Sequence, residues 1–171
     1  MIKYSNEKDK CYGVVGMAVG MTIWNAEEMF IEVSLDESGF DCLSFTRDFL
    51  FTGDPAISPT VSWQHRLNNF RIMMGITISN VLCRSMVLHK RQFDVEDKQQ
   101  LIKAFVEMGD AEYSLSESEC MGYFNKSFDY LVQVYNNRRM QQKVKEIAKV
   151  LSKERKMCAG DICRSLSEII S

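Results

Sequence analysis

The chain has 171 residues, with 46% hydrophobic and 26% charged side chains and a net charge of −2, a balance that excludes a disordered segment and a chain-wide field for drawing in polyanions. This length accommodates one domain with a core of its own. Two prolines and nine glycines favour long helices over a many-stranded sheet.

The opening MIKYSNEKDK is polar, with no basic segment ahead of a cleavable apolar run, so no secretory leader is read there and a cytoplasmic location is expected. YGVVGMAVGMTIW (12–24) is shorter than the roughly 20 residues that span a bilayer. Gly13, Gly16 and Gly20 each cost a helix about 1 kcal/mol relative to alanine. A second helix lying close against them would offset that, and the GxxxG of Gly16 and Gly20 points to such packing. Neither GxGxxG nor GxxxxGK[ST] occurs, so no phosphate-cradling loop of those kinds is present. Glu28 and Glu32 stand one helical turn apart below Trp24, an arrangement more in keeping with an exposed acidic face than with a carboxylate pair doing chemistry. IEVSL (31–35) alternates apolar and polar residues, and DESG precedes FDCLSF; residues 30–45 are read either as helix, the preferred reading, or as a β-hairpin. TGDPAISP (52–59) reads as a loop.

Ser58 as N-cap and Pro59 in the first turn open a helix over about 60–91. Trp63, Leu67, Phe70, Met74, Val81 and Leu88 recur at three- and four-residue steps, and Met73, Ile76, Cys83 and Val87 form a second stripe beside them. So wide an apolar arc predicts a central helix with neighbours on more than one side. FRIMMGITISNVLCRSMVL (70–88) is long enough to span a membrane, but Arg71, Asn80 and Arg84 within it argue for a buried bundle helix and against a membrane partner. In SWQHR (62–66), Trp63 is assigned to the core stripe, with His65 and Arg66 on its flank. His65 and His89 would lie about 36 Å apart on one continuous helix and share no metal. No HExxH or ExxH exists, and Cys83 and His89 fall on separated faces of an α-helix. Neither a metal nor another cofactor is expected.

Asp94 caps a helix through VEDKQQLIKAFVEM, with Gly109 as its expected stop. DAEYSLSESECM (110–121) imitates a calcium loop, but Leu115 replaces the turn glycine and Met121 the bidentate glutamate. Ser116 and Glu119 form a capping box for a helix carrying Phe124, Phe128, Leu131 and Tyr135. The apolar phase slips at Asn136-Asn137 and resumes with Met140, Val144, Ile147 and Leu151, which predicts a kinked helix or two successive ones. Asp161 is the expected cap of a last helix ending in SLSEII.

The 136–157 segment, NNRRMQQKVKEIAKVLSKERKM, carries the chain's clearest surface pattern. At 100° per residue, Arg138, Lys145, Lys149 and Lys156 fall within about 20° of one line and Lys153 within about 60°, opposite the apolar residues. Such a row would follow the phosphates of a nucleic acid, or serve as the solvated side of a bundle helix. No aromatic residue interleaves with it to stack on bases. Charge is segregated along the chain: net −6 over 1–60, +4 over 61–90, −5 over 91–120 and +5 over 121–171. Basic helices are therefore expected beside acidic ones. The six cysteines show no CxxC and no regular spacing, as in a reduced protein.

These observations predict a mainly α, single-domain bundle (1–171) of five or six helices, with a small hairpin near 30–45 as an option. The expected role is non-enzymatic: a scaffold or partner-binding protein, which binds another protein or a second copy of itself. The alternatives are a nucleic-acid-binding module using Arg138, Lys145, Lys149, Lys153 and Lys156, and an enzyme or ligand carrier with an interhelical pocket near Trp24, Glu28, Trp63 and His65.

Overall fold

The computed structural model describes residues 3–50 and 59–170. The Ser58 cap and, apart from Pro59, the 52–59 loop lie outside these residues. The fold is mainly α, with a small three-stranded antiparallel sheet. In chain order the elements are α1 (Glu7–Ile23), β1 (Phe30–Ser34), β2 (Leu43–Phe45), α2 (Arg47–Leu50), α3 (Pro59–Leu82), a π-helical extension (Cys83–Leu88), α4 (Val95–Tyr113), α5 (Glu117–Asn136), α6 (Arg138–Glu154), β3 (Lys156–Cys158) and α7 (Ala159–Ile170).

Helix α1 is the axis of the fold. Asn6 caps it by accepting from the Asp9 N–H, and from Cys11 to Thr22 only Tyr12 escapes burial. Helices α3, α6 and α7 surround it. Its glycines face α3. A Cβ added at Gly16 would lie 2.7 Å from the Ser79 carbonyl oxygen and 3.0 Å from Asn80 Cα, and one at Gly20 would lie 3.0 Å from Ile76 Cα. The two backbones therefore touch, which justifies three glycines in one helix. Across this seam Ser79 Oγ donates to the Gly16 carbonyl at 2.5 Å and accepts from the Tyr135 hydroxyl at 2.7 Å, tying α1, α3 and α5 together through buried groups.

Residues 30–45 hold the β-hairpin that was the alternative reading, β1 against β2, and not the preferred helix. Phe30 pairs with Phe45, and Val33 with both Leu43 and, on the other side, Met157. Burial of Phe30, Val33 and Leu43 against α1 and α7 supplies what a solvated helix would lack. The third strand has no counterpart in the sequence reading, because three residues leave no period to detect. Its pairing places Glu32 beside Lys156 at 3.9 Å. Arg155, in left-handed conformation, bonds both Asp36 (2.7 Å) and Glu7 (2.5 Å). The basic C-terminal block thus meets the acidic N-terminal one.

Other boundaries shift for identifiable reasons. Gly109 does not stop α4, which runs on to Tyr113 and ends at Ser114 with φ +50°. The glycine serves close packing instead: a Cβ there would fall 2.2 Å from Cys120 Sγ. Asp94 caps α4, and the Ser116–Glu119 box opens α5. Asn137 divides α5 from α6, its side chain accepting from the Arg139 and Met140 N–H groups. Helix α7 begins at Ala159, so Asp161 lies in its first turn rather than capping it. Trp63 is 38% exposed and outside the core. Helix α1 ends opposite Gly75, against which Trp24 lies, so the first turns of α3 overhang it. Thr60–Leu88 is, among the described residues, the one helix long and apolar enough to cross a membrane, and 67% of its most apolar part is buried inside the fold.

All six cysteines are free. The glycine seam makes opposite forecasts for two alanine substitutions. Gly16→Ala should destabilise by about 2–3 kcal/mol through backbone overlap, whereas Gly122→Ala, which meets nothing within 4 Å on α5, should stabilise by about 0.5–1 kcal/mol. Urea denaturation followed by circular dichroism measures both.

Candidate functional site

The π-helical extension is where sequence geometry and observed geometry part. In an unbroken α-helix, Arg84 and His89 would be about 140° apart. Here the His89 N–H bonds the Arg84 carbonyl at 3.0 Å, five residues back, and that wider turn stacks the two residues on one side. Such π turns occur frequently at functional sites. Both side chains reach Asp9 of α1, which is fully buried. Arg84 donates through Nε to Oδ1 (2.7 Å) and through Nη2 to Oδ2 (2.5 Å), the Ser5 N–H donates to Oδ2 (2.9 Å), and His89 Nε2 lies 3.5 Å from Oδ1.

Burial alone would raise the Asp9 pKa. The Arg84 hydrogen bonds, the Ser5 N–H, the Arg84 charge and His89 together outweigh it and hold the carboxyl below its ordinary range. The guanidinium also donates to the Lys3 carbonyl (2.9 Å) and lies over the Tyr4 ring at 5.0 Å. Tyr4 accepts a hydrogen bond from Asn80 at 2.9 Å, and burial, partly opposed by that bond, pushes its pKa up to about 12. Gly13 makes room for this arrangement, since a Cβ there would lie 2.6 Å from the Tyr4 ring and 2.8 Å from Asn80 Nδ2.

The cluster stands at the junction of two cavities. Helix α4 leans on α5 and meets α3 mainly where Phe105 and Tyr113 pack on Phe70. Beside that contact a polar cavity of about 480 Å³ is bounded by Ser5, Asp9, Arg84, His89, Arg91 and Gln100. An apolar one of about 420 Å³ lies among Phe40, Phe70, Met73, Phe105 and Met108. Val81, Arg84, Leu101 and Ala104 line both, so the two lie side by side along the α3–α4 cleft, one apolar and one polar. Volumes in this range suit a small molecule. Cys83, beneath the cluster, holds no ready thiolate: it is buried in the α1–α3 seam, and that burial raises its pKa.

The expected basic row divides, and Lys156 is not on the helix at all: α6 ends at Glu154, Arg155 turns the chain in left-handed conformation and Lys156 opens β3. Lys153 pairs with Glu154 (3.1 Å) and Lys156 with Glu32 (3.9 Å). Arg138 and Lys149 are exposed and Lys145 half-buried, and none of the three has an ion-pair partner among the described residues. Trp24, Glu28, Trp63 and His65 do not converge. Trp24 packs against Gly75, whereas Trp63 stands 12 residues earlier on α3, about 18 Å away along the axis. Glu28 and His65 point to solvent. No group of three or more metal-ligating side chains occurs among the described residues.

Sequence reasoning missed Asp9, Arg84 and His89 as a unit. The usable signal was Arg84 itself, a cation inside an apolar run that demands a partner. The continuous-helix assumption sent His89 to another face. No protein family, curated protein or solved structure matches the chain.

Because the Asp9 pKa is lowered on folding, its stabilising effect is complete above the usual carboxylate range and is lost as pH falls through the lowered value. Asp9→Asn should therefore reduce stability at pH 7 by about 2–3 kcal/mol, the charge of Arg84 being left without its partner. It should also flatten the acid-induced loss of stability below about pH 4. Thermal melts across pH measure both.

Proposed function

We propose that this is a non-enzymatic binding protein that takes an amphipathic small molecule into the cleft between α3 and α4. One observation carries the reading: an apolar cavity and a polar one adjoin, with Val81, Leu101 and Ala104 lining both. An aliphatic or aromatic body would lie among Phe70, Met73 and Phe105, where its burial contributes about 25 cal/mol per Å². A polar or anionic head would reach His89 and Arg91; Arg91 is exposed and without an ion-pair partner among the described residues. Arg84, held by Asp9 and Tyr4, supplies a fixed wall between the two ends.

Displacement of 1-anilinonaphthalene-8-sulfonate by dodecanoate and by dodecanol tests this. Saturable one-to-one binding is expected, with dodecanoate the tighter. Ala104→Trp, at an exposed position in the waist, should weaken both ligands by about tenfold or more, while Arg91→Glu should weaken only the carboxylate. No saturable binding by the wild-type protein would overturn the proposal.

A second reading rests on the unpaired Arg138, Lys145 and Lys149. It holds that α6 lies along a nucleic-acid backbone. Duplex binding that falls steeply between about 50 and 200 mM salt is then expected, with loss in a folded Lys145→Glu/Lys149→Glu variant. Salt-insensitive or absent binding would make this row the solvated face of the bundle.

A further inference from the structure

On another face, at the junction of α1, α3 and α5, lies a group of side chains that the cleft does not use. Trp24 follows the last turn of α1, and the chain turns away at Asn25 with φ +50°. Its indole lies flat against α3 because position 75 is glycine: a Cβ there would sit 3.1–3.2 Å from three atoms of the ring. Tyr130 of α5 meets the indole edge-on, with centroids 6.4 Å apart and planes at 83°, and remains 50% exposed. One turn or two along α5 come Lys126 and Tyr123. Arg71 of α3 stacks its guanidinium on the Tyr123 ring at 3.9 Å. These groups line an open cavity of about 480 Å³.

Arg71 gives the site its chemistry. Its Nε is sealed from solvent and makes no hydrogen bond, and no carboxylate pairs with it or with Lys126 among the described residues. The sealed Nε is not itself offered to a ligand; what the cavity receives is the uncompensated charge of Arg71, which lines it. Asp129 is the nearest acid along α5, but it projects about 60° further round the helix than Lys126. A cation stacked on one ring, a second cation beside it and two further aromatic rings are the elements that recognise a base carrying a phosphate.

We propose that this face binds a nucleotide, either free or within a single strand. The base would stack on the exposed Tyr130 ring and meet the perpendicular Trp24 indole edge to face, and the phosphate would be held by Arg71 and Lys126. The site is separate from the α3–α4 cleft and stands whether or not the cleft takes a ligand.

The chain holds two tryptophans, so a Trp63→Phe variant leaves Trp24 as the sole indole, and quenching of its emission reports occupancy. Titration with adenosine monophosphate, adenosine, inorganic phosphate and a short single-stranded oligoadenylate forms the test. Saturable quenching by the monophosphate, or by the oligonucleotide alone, is the expected result; the first outcome identifies a free nucleotide as the ligand and the second a strand. Adenosine and inorganic phosphate should each bind about tenfold more weakly, and Tyr130→Ala and Lys126→Glu, both solvent-facing changes, should each weaken binding by about tenfold. Failure of both nucleotide probes to quench, adenosine binding as tightly as its phosphate, or quenching by an acidic peptide alone would overturn the proposal. Unchanged binding in both variants would do the same.

Discussion

Everything in this molecule depends on how closely α1 and α3 approach. Three glycines on α1 remove the side chains that ordinarily hold helices 8–10 Å apart, and the backbones meet at Ser79 and Ile76. The conformational cost of those glycines is offset by dispersion contacts along the seam and by the Gly16–Ser79–Tyr135 hydrogen bonds. Because the approach is so close, residues at the α3 end of the seam come within bonding distance of the first residues of α1. Asp9 and Arg84 meet for that reason, and Gly13 gives Tyr4 and Asn80 the space to surround them.

A buried carboxylate is tolerated only where every lone pair is engaged. Asp9 meets this condition through two donors of Arg84, one backbone N–H and a histidine. The π turn is the backbone's contribution, since it moves His89 onto the same side as Arg84. The result is a rigid polar wall at the point where α4 leaves α3. The cleft beside it is therefore shaped by electrostatics at one end and by aromatic packing at the other.

Legibility in the sequence varied with the length of the pattern. The capping box at Ser116 and Glu119, the Asp94 cap and the helix break at Asn137 were all readable, because each rests on a side chain bonding its own neighbouring backbone. The glycines of α1 were readable as a packing signal, though not their partner. Gly109 was misread because a glycine that admits Cys120 and a glycine that ends a helix look alike in sequence. At residues 30–45 the hairpin was legible, but only as the second choice to a helix, because β1 also leans on a three-residue strand more than a hundred positions away. Trp63 kept the helical phase of the core but lay beyond the end of α1. The site was the least legible part. Asp9 is distant in sequence from Arg84 and His89, which only the π turn brings to one side, and Arg71, Tyr123 and Trp24 meet only after three helices have packed.

The burial of α1 also bears on how the chain is made. The Cys11 thiol bonds the Ala148 carbonyl, 137 residues later, and Thr22 touches Cys163. A helix enclosed by α3, α6 and α7 cannot complete its packing while the later segments are still being synthesised. Through most of translation its apolar, glycine-bearing surface has no native partner, and long-range closure of this kind slows folding. The segment that ends at the centre of the native protein is thus the one exposed longest before the fold exists. Until α6 and α7 emerge, residues 11–22 are the apolar surface through which the chain is most open to self-association.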